Sequence, residues 1–321
     1  MKKWVLFAAL LFVILTKWSI AGKPQSRPRI RSFEEEPIMA TGDRSIWVSN
    51  SDTRFDHAPN WSNGIPGSLG AYDPNPYFGG PLGGQASCLQ NVSNGGTKMQ
   101  VFVEENYGGD LGTLADPFTW WSDHFINHVF RGSGRAYINT GVGGAASLAI
   151  ITVDSNNLVD AVTLVGCGTG YISVKRGHFV CDAASDFGML QLFGPLAYAT
   201  IPEYSSSNTV EWIGNNGGIL NWGRTIPSTG VLTSIGGYLN FTGAMATNSE
   251  LEVSGGRALI APSAAISTGV MRLFDGLIDL SGSAYKIAPT QMVVGPDVEL
   301  LDPQEYIDAA NFVIDLRKVY P

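Results

Sequence analysis

The chain has 321 residues, of which 44% are hydrophobic and only 15% are charged, and it contains 39 glycines. This balance suits an all-β repeat protein better than an α/β enzyme, and the length allows one elongated domain with a large core. The formal net charge of −8 opposes a broad electrostatic attraction to nucleic acid, so we expect no nucleic-acid partner.

Residues 1–21 have the pattern of a secretory signal peptide. Two lysines precede an apolar core at residues 4–15, and Ser19 and Ala21 supply the small residues that a cleavage site requires. The apolar core is shorter than the roughly 20 residues that span a bilayer, and Lys17 interrupts it, although an uncleaved anchor stays open as the alternative. We therefore expect a secreted, periplasmic or cell-surface protein with no stable membrane span after the signal is removed.

The next two regions lack any repeat. Residues 22–40 are polar, with basic residues followed by acidic ones, and we expect a solvated linker there. Residues 41–115 we expect to form an N-terminal cap, because an exposed first coil of a repeat protein would present unpaired backbone. Trp47 and Trp61 are large enough to cover such a coil.

A short pattern recurs through residues 172–300, and a glycine marks each recurrence. The spacings between these glycines are 17, 24, 19, 19, 20 and 19 residues for the anchors Gly177, Gly194, Gly218, Gly237, Gly256, Gly276 and Gly295. The residues two and four places after the first six anchors are apolar or aromatic, namely Phe179/Cys181, Leu196/Tyr198, Leu220/Trp222, Leu239/Phe241, Ala258/Ile260 and Ile278/Leu280. A repeat of this length, with a glycine between two alternating strands, predicts a parallel β-helix in which the glycine forms a corner and the apolar residues point inward.

We therefore predict an all-β fold, a right-handed parallel β-helix of about eight coils over residues 116–300, beginning near Phe125. The 24-residue interval after Gly194 predicts one lengthened corner, with residues 205–208 on the outside. Residues 301–321 turn acidic and we expect them to form a C-terminal cap. A β-sandwich or an antiparallel barrel would also give regular strand spacing, and it stays open as the alternative fold.

Several motifs carry a resemblance to a known group of proteins. Trp47 followed by NWSNGIP at residues 60–66 is similar to the start of many exported bacterial β-helix proteins, including autotransporter passenger-like repeat regions. Residues 107–113 (YGGDLGT), 131–138 (RGSGRAYI) and 151–155 (ITVDS) resemble uncharacterised exported or phage-associated β-helix proteins. The resemblance implies the solenoid fold, and no catalytic residues come with it.

The catalytic families nearest to this resemblance are pectate-lyase-like and polygalacturonase-like enzymes, which act on acidic polysaccharides with clustered carboxylates and a basic residue. Asp182, Asp186, Arg176 and His178 could gather on one outer face. Aspartates at solenoid corners are more often turn residues, however, and the sequence lacks HExxH, a P-loop, paired CxxC and a nucleophile elbow. We expect no catalytic residues and no enzyme.

The histidines and cysteines predict no metal or cofactor site. His124 and His128 lie four residues apart, which in a strand separates them by about 13 Å, too far for one ion. Cys88, Cys167 and Cys181 are too few for a disulfide framework and are expected to fill small apolar positions. A bridge between Cys167 and Cys181 is compatible with the coil spacing but is not implied by it.

Outward aromatic residues on neighbouring coils are candidate contacts for sugar rings. Trp212, Tyr171 and Tyr238 are the candidates, although an aromatic residue in a strand more often belongs to the core. We expect a non-enzymatic exported structural, cell-surface or adhesion protein, whose partners are cell-surface glycans or other surface proteins. A glycan-binding or polysaccharide-degrading β-helix is the alternative, and the sequence leaves the oligomeric state open.

Overall fold

The computed structural model describes residues 44–68, 75–90, 93–121, 126–140, 149–166, 168–203, 212–301 and 312–314. The predicted signal peptide, the predicted linker and residues 205–208 lie outside the described residues, as does most of the predicted C-terminal cap. Within the described ranges, helix is confined to a single 3₁₀ turn, Ala58–Asn60.

The rest of the described chain is strand and loop. The strands are β1 Arg44–Ile46, β2 Asn75–Phe78, β3 Ser93–Lys98, β4 Phe102–Val103, β5 Phe118–Trp121, β6 Asn127–Phe130, β7 Ala136–Asn139, β8 Ile150–Asp154, β9 Val162–Leu164, β10 Gly168–Cys181, β11 Asp186–Phe193, β12 Ala197–Ile201, β13 Trp212–Asn216, β14 Ile219–Trp222, β15 Val231–Ile235, β16 Tyr238–Phe241, β17 Glu250–Ile260, β18 Val270–Asp279, β19 Gln291–Leu301 and β20 Phe312–Ile314.

These strands stack in parallel on two faces of a solenoid. The first face contains β8, the first half of β10, β11, β13, β15 and the first halves of β17, β18 and β19. The second face contains β9, the second half of β10, β12, β14, β16 and the second halves of β17, β18 and β19. The predicted parallel solenoid of about eight turns is confirmed, whereas a sandwich or antiparallel barrel requires antiparallel neighbours.

The corner between the two faces explains the recurring glycine. Within β10 the pairing with β8 shifts register between Val174 and Arg176, and the second face begins at Gly177. Gly177 has a φ of +99°, and a Cβ there would lie 3.0 Å from the carbonyl oxygen of Ser155 in the preceding coil. The left-handed backbone and the close approach together favour glycine.

The register of the coil at β12 differs from the prediction. The residue that pairs with Gly177 is Ala197, not Gly194. Leu196, predicted to point inward, is 48% exposed, and Tyr198 is half-buried on the outside. The physical reason is that β11 ends at Phe193 and three residues, beginning with Gly194, turn the chain before β12 starts.

The last predicted anchor was wrong for a related reason. Gly276 pairs with Val298, so Gly295 lies within the corner of its coil rather than at the start of the second face. With Ala197 in the place of Gly194, the residues at the start of the second face recur at 20, 21, 19, 19 and 20 residues from Gly177 to Gly276. The repeat is therefore more regular than the glycine spacing indicates.

Inward residues of successive coils form continuous apolar rows. The first face contributes Ile151, Ile172, Leu190, Ile213, Leu232, Leu251, Met271 and Met292, and the second contributes Val162, Phe179, Ala199, Leu220, Leu239, Ala258 and Ile278. Full burial of each larger side chain contributes about 1.5–3 kcal/mol. The core therefore runs along the axis of the solenoid rather than being concentrated at one point.

The region 41–115, where we expected a cap, also contains parallel pairs. β1 pairs with β2, and β2 pairs with β4. Trp47 and Trp61 are both buried, and their ring centroids lie 5.0 Å apart in an edge-to-face contact. The indole N–H of Trp47 donates to the carbonyl of Ala86 and that of Trp61 to the carbonyl of Phe55, so both polar atoms are satisfied inside an aromatic cluster.

Candidate functional site

The outer surface of the first face carries a row of large apolar residues. Tyr171 pairs with Met189, Met189 with Trp212, and Trp212 with Val231, and all four side chains are half-buried. Two of the three predicted glycan contacts, Tyr171 and Trp212, thus lie in one row with a single residue between them. At about 4.8 Å per coil they are about 10 Å apart. We call Tyr171, Met189 and Trp212 the aromatic row.

The indole of Trp212 packs directly on the backbone of its own strand. A Cβ built on Gly214 would lie 2.5 Å from Cη2 and 2.9 Å from Cζ2 of Trp212. The six-membered ring therefore occupies the space that a side chain at position 214 would take. The absence of a side chain at Gly214 is what allows the indole to lie against the sheet.

Tyr171 is held by a neighbouring polar residue. Its hydroxyl donates to Oε1 of Gln191 at 2.7 Å, and burial raises the pKa of the phenol to about 12. The ring is therefore neutral at physiological pH and its orientation is fixed from one side. Gln191 occupies an outward position of β11, two residues after Met189 of the aromatic row, and neighbouring side chains leave it only 5% exposed.

The third predicted contact, Tyr238, lies on the other face. It belongs to an outward row on the second face that consists of His178, Tyr198, Ile219, Tyr238 and Arg257. The structure therefore brings Tyr171 and Trp212 together and does not bring Tyr238 to them.

A row of polar residues lies beside Tyr238 on the second face. Thr200 pairs with Asn221, and Asn221 with Asn240. Nδ2 of Asn221 donates to Oγ1 of Thr200 at 3.5 Å, and Nδ2 of Asn240 donates to Oδ1 of Asn221 at 3.4 Å, both at the long end for hydrogen bonds. We call Thr200, Asn221 and Asn240 the polar row.

His178 sets the direction of the hydrogen bonds in the polar row. Its Nδ1 contacts the carbonyl oxygen of Val159, which can only accept, so we assign the ring proton to Nδ1. Burial lowers the pKa of His178, which keeps the ring neutral and leaves Nε2 as an acceptor. The hydroxyl of Thr200 therefore donates to Nε2, 2.9 Å away. At the other end of the row, Oδ1 of Asn240 is buried and accepts no hydrogen bond from the described residues.

A groove of about 250 Å³ runs across the coils at the end of the polar row. Its lining includes Thr200, Glu203, Asn221, Gly223, Thr242 and Ser263. A Cβ on Gly223 would come within 3.0 Å of the backbone nitrogen of Glu203, so no side chain projects from this position between the walls. Ile201 and Pro202 also line the groove, so its polar groups, which are three hydroxyls, one amide and one carboxylate, stand beside apolar surface.

The residues considered for an acid–base site are distributed over two corners. Asp182 accepts hydrogen bonds from the backbone N–H groups of Gly166 and Ala184, which is the turn role expected of a corner aspartate. Asp186 follows it and lies 3.6 Å from the guanidinium of Arg224. Both carboxylates lie beyond the far end of β10.

Arg176 lies at the opposite corner of the same strand, before Gly177. Its guanidinium pairs with Asp154 at 3.2 Å and with Glu105 at 3.3 Å. His178 belongs to the polar network on the second face. The structure therefore does not place Asp182 and Asp186 in one cluster with Arg176 and His178.

His128, one of the two histidines considered and rejected as metal ligands, is buried and packs against aromatic residues. Its Nδ1 accepts the backbone N–H of Val101 at 3.0 Å, and its ring contacts Trp120 edge-to-face. His124 lies outside the described residues, as does Cys167. Within the ranges that the structure describes, no three histidine, cysteine, aspartate or glutamate side chains converge to hold a metal ion.

The polar row and its groove were not identified from the sequence. The signal for them was an asparagine three residues after two successive corner glycines, at Asn221 after Gly218 and at Asn240 after Gly237. Both asparagines stand between inward apolar residues, where an outward position is expected. A polar residue recurring at one outward position indicates a row along the solenoid, because equivalent positions stack.

No protein-family model, no curated protein and no solved structure matches this chain. The class that the geometry defines is a parallel β-solenoid with an aromatic row on one face and a polar row with a groove on the other. Among the residues described, no helix has the length and apolar character needed to cross a membrane.

Proposed function

We propose that this protein is a non-enzymatic, exported β-solenoid that serves as a structural or adhesion module at a cell surface, and that it contacts glycans there. The observation that carries the proposal is the aromatic row, in which Tyr171 and Trp212 share one outward line on the first face.

The aromatic row has the properties of a carbohydrate platform. A pyranose ring presents one apolar face of C–H groups, and an aromatic ring that is only half-buried offers a matching surface. The ring of Trp212 is held against Gly214, and Tyr171 is held by Gln191, so little side-chain freedom is lost on binding. Spacing the two aromatics over two coils suits a chain of sugars rather than a single one.

Export and family membership are part of the proposal. The pattern of residues 1–21 supports passage across a membrane with removal of the signal. The motifs at residues 60–66 and 107–113 support a place among exported bacterial β-helix proteins of the autotransporter passenger-like or pectin-lyase-like kind.

The proposal is tested by measuring binding of the purified protein to a panel of immobilised neutral and acidic polysaccharides. We expect at least one polysaccharide to be retained, and we expect Trp212→Ala and Tyr171→Ala each to weaken that binding at least fivefold. Tyr285→Ala is the matched control, because Tyr285 is 46% exposed and lies outside the aromatic row. Absence of binding to every polysaccharide, or equal binding by all four proteins, would contradict the glycan contact.

A polysaccharide-degrading enzyme is the second candidate, and one observation favours it. Arg176 lies between the carboxylates of Asp154 and Glu105, so one basic and two acidic groups meet at a partly exposed corner. Incubation with the same panel, followed by assay of new reducing ends and of unsaturated products, separates the two candidates. Turnover that is abolished by Arg176→Met would replace the adhesion proposal with the enzyme.

A further inference from the structure

Several hydrogen-bond acceptors line the groove at the end of the polar row. With His178 neutral, the proton of the Thr200 hydroxyl is directed to Nε2 of His178. The hydroxyl of Thr242 donates to the backbone carbonyl of Trp222 at 3.4 Å. The protons of both hydroxyls are thus committed to protein acceptors. Each oxygen keeps a lone pair, since Oγ1 of Thr200 accepts only the long contact from Nδ2 of Asn221.

The remaining groups strengthen this bias. Oδ1 of Asn221 already accepts from Asn240, but a carbonyl oxygen has two lone pairs, and one is left over. Glu203 is exposed and contributes a carboxylate, which when ionised can only accept. These groups favour a ligand that supplies hydrogen-bond donors, and the carboxylate of Glu203 disfavours one with a negative charge, while the hydroxyl of Ser263 can also donate to the ligand.

The size of the groove restricts the ligand further. Its volume of about 250 Å³ lies just under the range of roughly 300–1,000 Å³ typical of small-molecule sites. A single sugar ring with its hydroxyl groups satisfies both the size and the demand for donors. A uronic acid has a similar size, but its carboxylate would face Glu203 without a compensating cation among the groups that line the groove.

We propose that the groove lined by Thr200, Glu203, Asn221 and Thr242 is a subsite for a neutral, hydroxyl-rich sugar unit and that it discriminates against uronic acids. This inference rests on the proposed glycan-binding function and adds the chemical class of sugar and a second binding position. It separates the protein from solenoid enzymes that act on acidic polysaccharides.

Two substitutions each remove the polar side-chain atoms of one groove residue and replace it with an apolar residue type that already occurs in the same outward row. Thr200→Val places a valine where the preceding coil has Val180, and Asn221→Leu places a leucine in the outward row that contains Leu259 two coils later. Thr163→Val is the matched control, because Thr163 occupies the same outward row as Thr200 and lies outside the groove.

The test measures, by isothermal titration calorimetry, the affinity of each protein for neutral gluco-, manno- and galacto-oligosaccharides and for oligogalacturonate. We expect the original protein to bind at least one neutral series at least tenfold more tightly than oligogalacturonate. We expect Thr200→Val and Asn221→Leu to weaken neutral binding at least tenfold, and Thr163→Val to stay within twofold. Far-ultraviolet circular dichroism and thermal melting establish that each variant is folded.

A further variant keeps the inference testable if the first two do not fold. Glu203→Gln changes an exposed side chain and removes the charge that opposes uronic acids. We expect the preference for neutral sugars over oligogalacturonate to fall at least threefold in this variant. An unchanged preference in the folded variant overturns the assignment of the groove.

The outcomes distinguish failure of the subsite from failure of the glycan-binding function. If neutral sugars bind and Trp212→Ala abolishes binding while the groove variants bind normally, the subsite is wrong and the proposed function stands. Tighter binding of oligogalacturonate than of every neutral series also overturns the subsite. If no saccharide binds at all, both the proposed function and the subsite are overturned.

Discussion

The six-membered ring of Trp212 fills the position above Gly214 in which the next outward side chain of β13 would stand. Because Gly214 pairs with Gln191 on one side and Thr233 on the other, the glycine is a gap in a row of larger residues. The ring lies in that gap. A side chain at position 214 would compete with the indole for the same space.

Gly214→Thr tests this relationship. Threonine suits the strand and matches Thr233 in the next coil, so we expect the melting temperature to change little. The indole must move away, because the new Cβ would lie 2.5 Å from Cη2, and we expect glycan binding to fall to the level of Trp212→Ala. Near-ultraviolet circular dichroism and polysaccharide retention measure the two effects. Thr233→Val is the control, and unchanged retention by Gly214→Thr would show that the ring position is unimportant.

The register at β12 predicts opposite effects for two nearby substitutions. Ala199 is 1% exposed and Leu196 is 48% exposed, although the glycine spacing places Leu196 in the core. We expect Ala199→Asp to lower the free energy of unfolding by more than about 3 kcal/mol, because it buries an unpaired charge, and Leu196→Asp to change it by less than about 0.5 kcal/mol. Urea denaturation measures both free energies of unfolding. A larger loss for Leu196→Asp than for Ala199→Asp would show that Leu196 points inward, as the register anchored on Gly194 predicts.

Arg224 is a fully buried arginine that joins three coils. Its Nη2 donates to the backbone carbonyls of Ser185 at 2.6 Å and of Asp182 at 3.1 Å, and its Nε donates to the carbonyl of Pro202 at 3.4 Å. We expect Arg224→Met to lower the free energy of unfolding by about 3–5 kcal/mol, since the carbonyls and the partner Asp186 lose a buried cation. Arg257→Met is the control, because Arg257 is half-exposed in its pair with Asp279 and should contribute less than about 1 kcal/mol. Equal melting of the two variants would contradict a structural role for Arg224.

His128 predicts a loss of stability in acid. Complete burial lowers the pKa of His128 from 6.5 to about 3 in the folded protein. The unfolded chain therefore takes up a proton below pH 6.5 that the folded chain does not, and the free energy of unfolding falls as the pH drops from 6.5 towards 3. The expected loss between pH 7 and pH 4 is on the order of 3 kcal/mol.

The variant His128→Leu isolates this contribution from that of the carboxylates. Leucine suits the inward row, because His128 pairs with Ile151 in the next coil. Urea denaturation at pH 7 and pH 4 should show a smaller loss of stability in the variant than in the original protein. The same loss in both proteins would mean that another group carries the acid sensitivity.

The sequence predicted the architecture well because architecture here is a periodic property. Residues such as Leu220, Leu239 and Ile278 recur at a nearly constant interval beside a glycine, and only stacking of equivalent positions buries them all. The interval failed where the corner glycine does not stand at the start of the second face. At Gly194 the turn itself requires a φ of +85°, so a glycine stands three residues before the true start of the second face.

The candidate sites were predictable in part. Tyr171 and Trp212 are 41 residues apart in the sequence, and a period-two pattern is enough to indicate that each could point outward. That they share a row depends on pairing through Met189, and pairing depends on how many residues each corner uses. The positions of the corners also put Tyr238 on the second face of its coil, away from Tyr171 and Trp212.

The sequence by itself determined that this chain stacks short parallel strands around an apolar axis, because the alternation and the repeat length leave few other ways to bury those side chains. The tertiary structure decided which residues meet across coils, including the row from Tyr171 through Met189 to Trp212 and the hydrogen bonds that link Asn240, Asn221, Thr200 and His178 in series. Local sequence cannot specify these contacts, because they join residues about twenty positions apart through corners of unequal length. A shift of one residue in any corner would turn the outward residues of that strand inward.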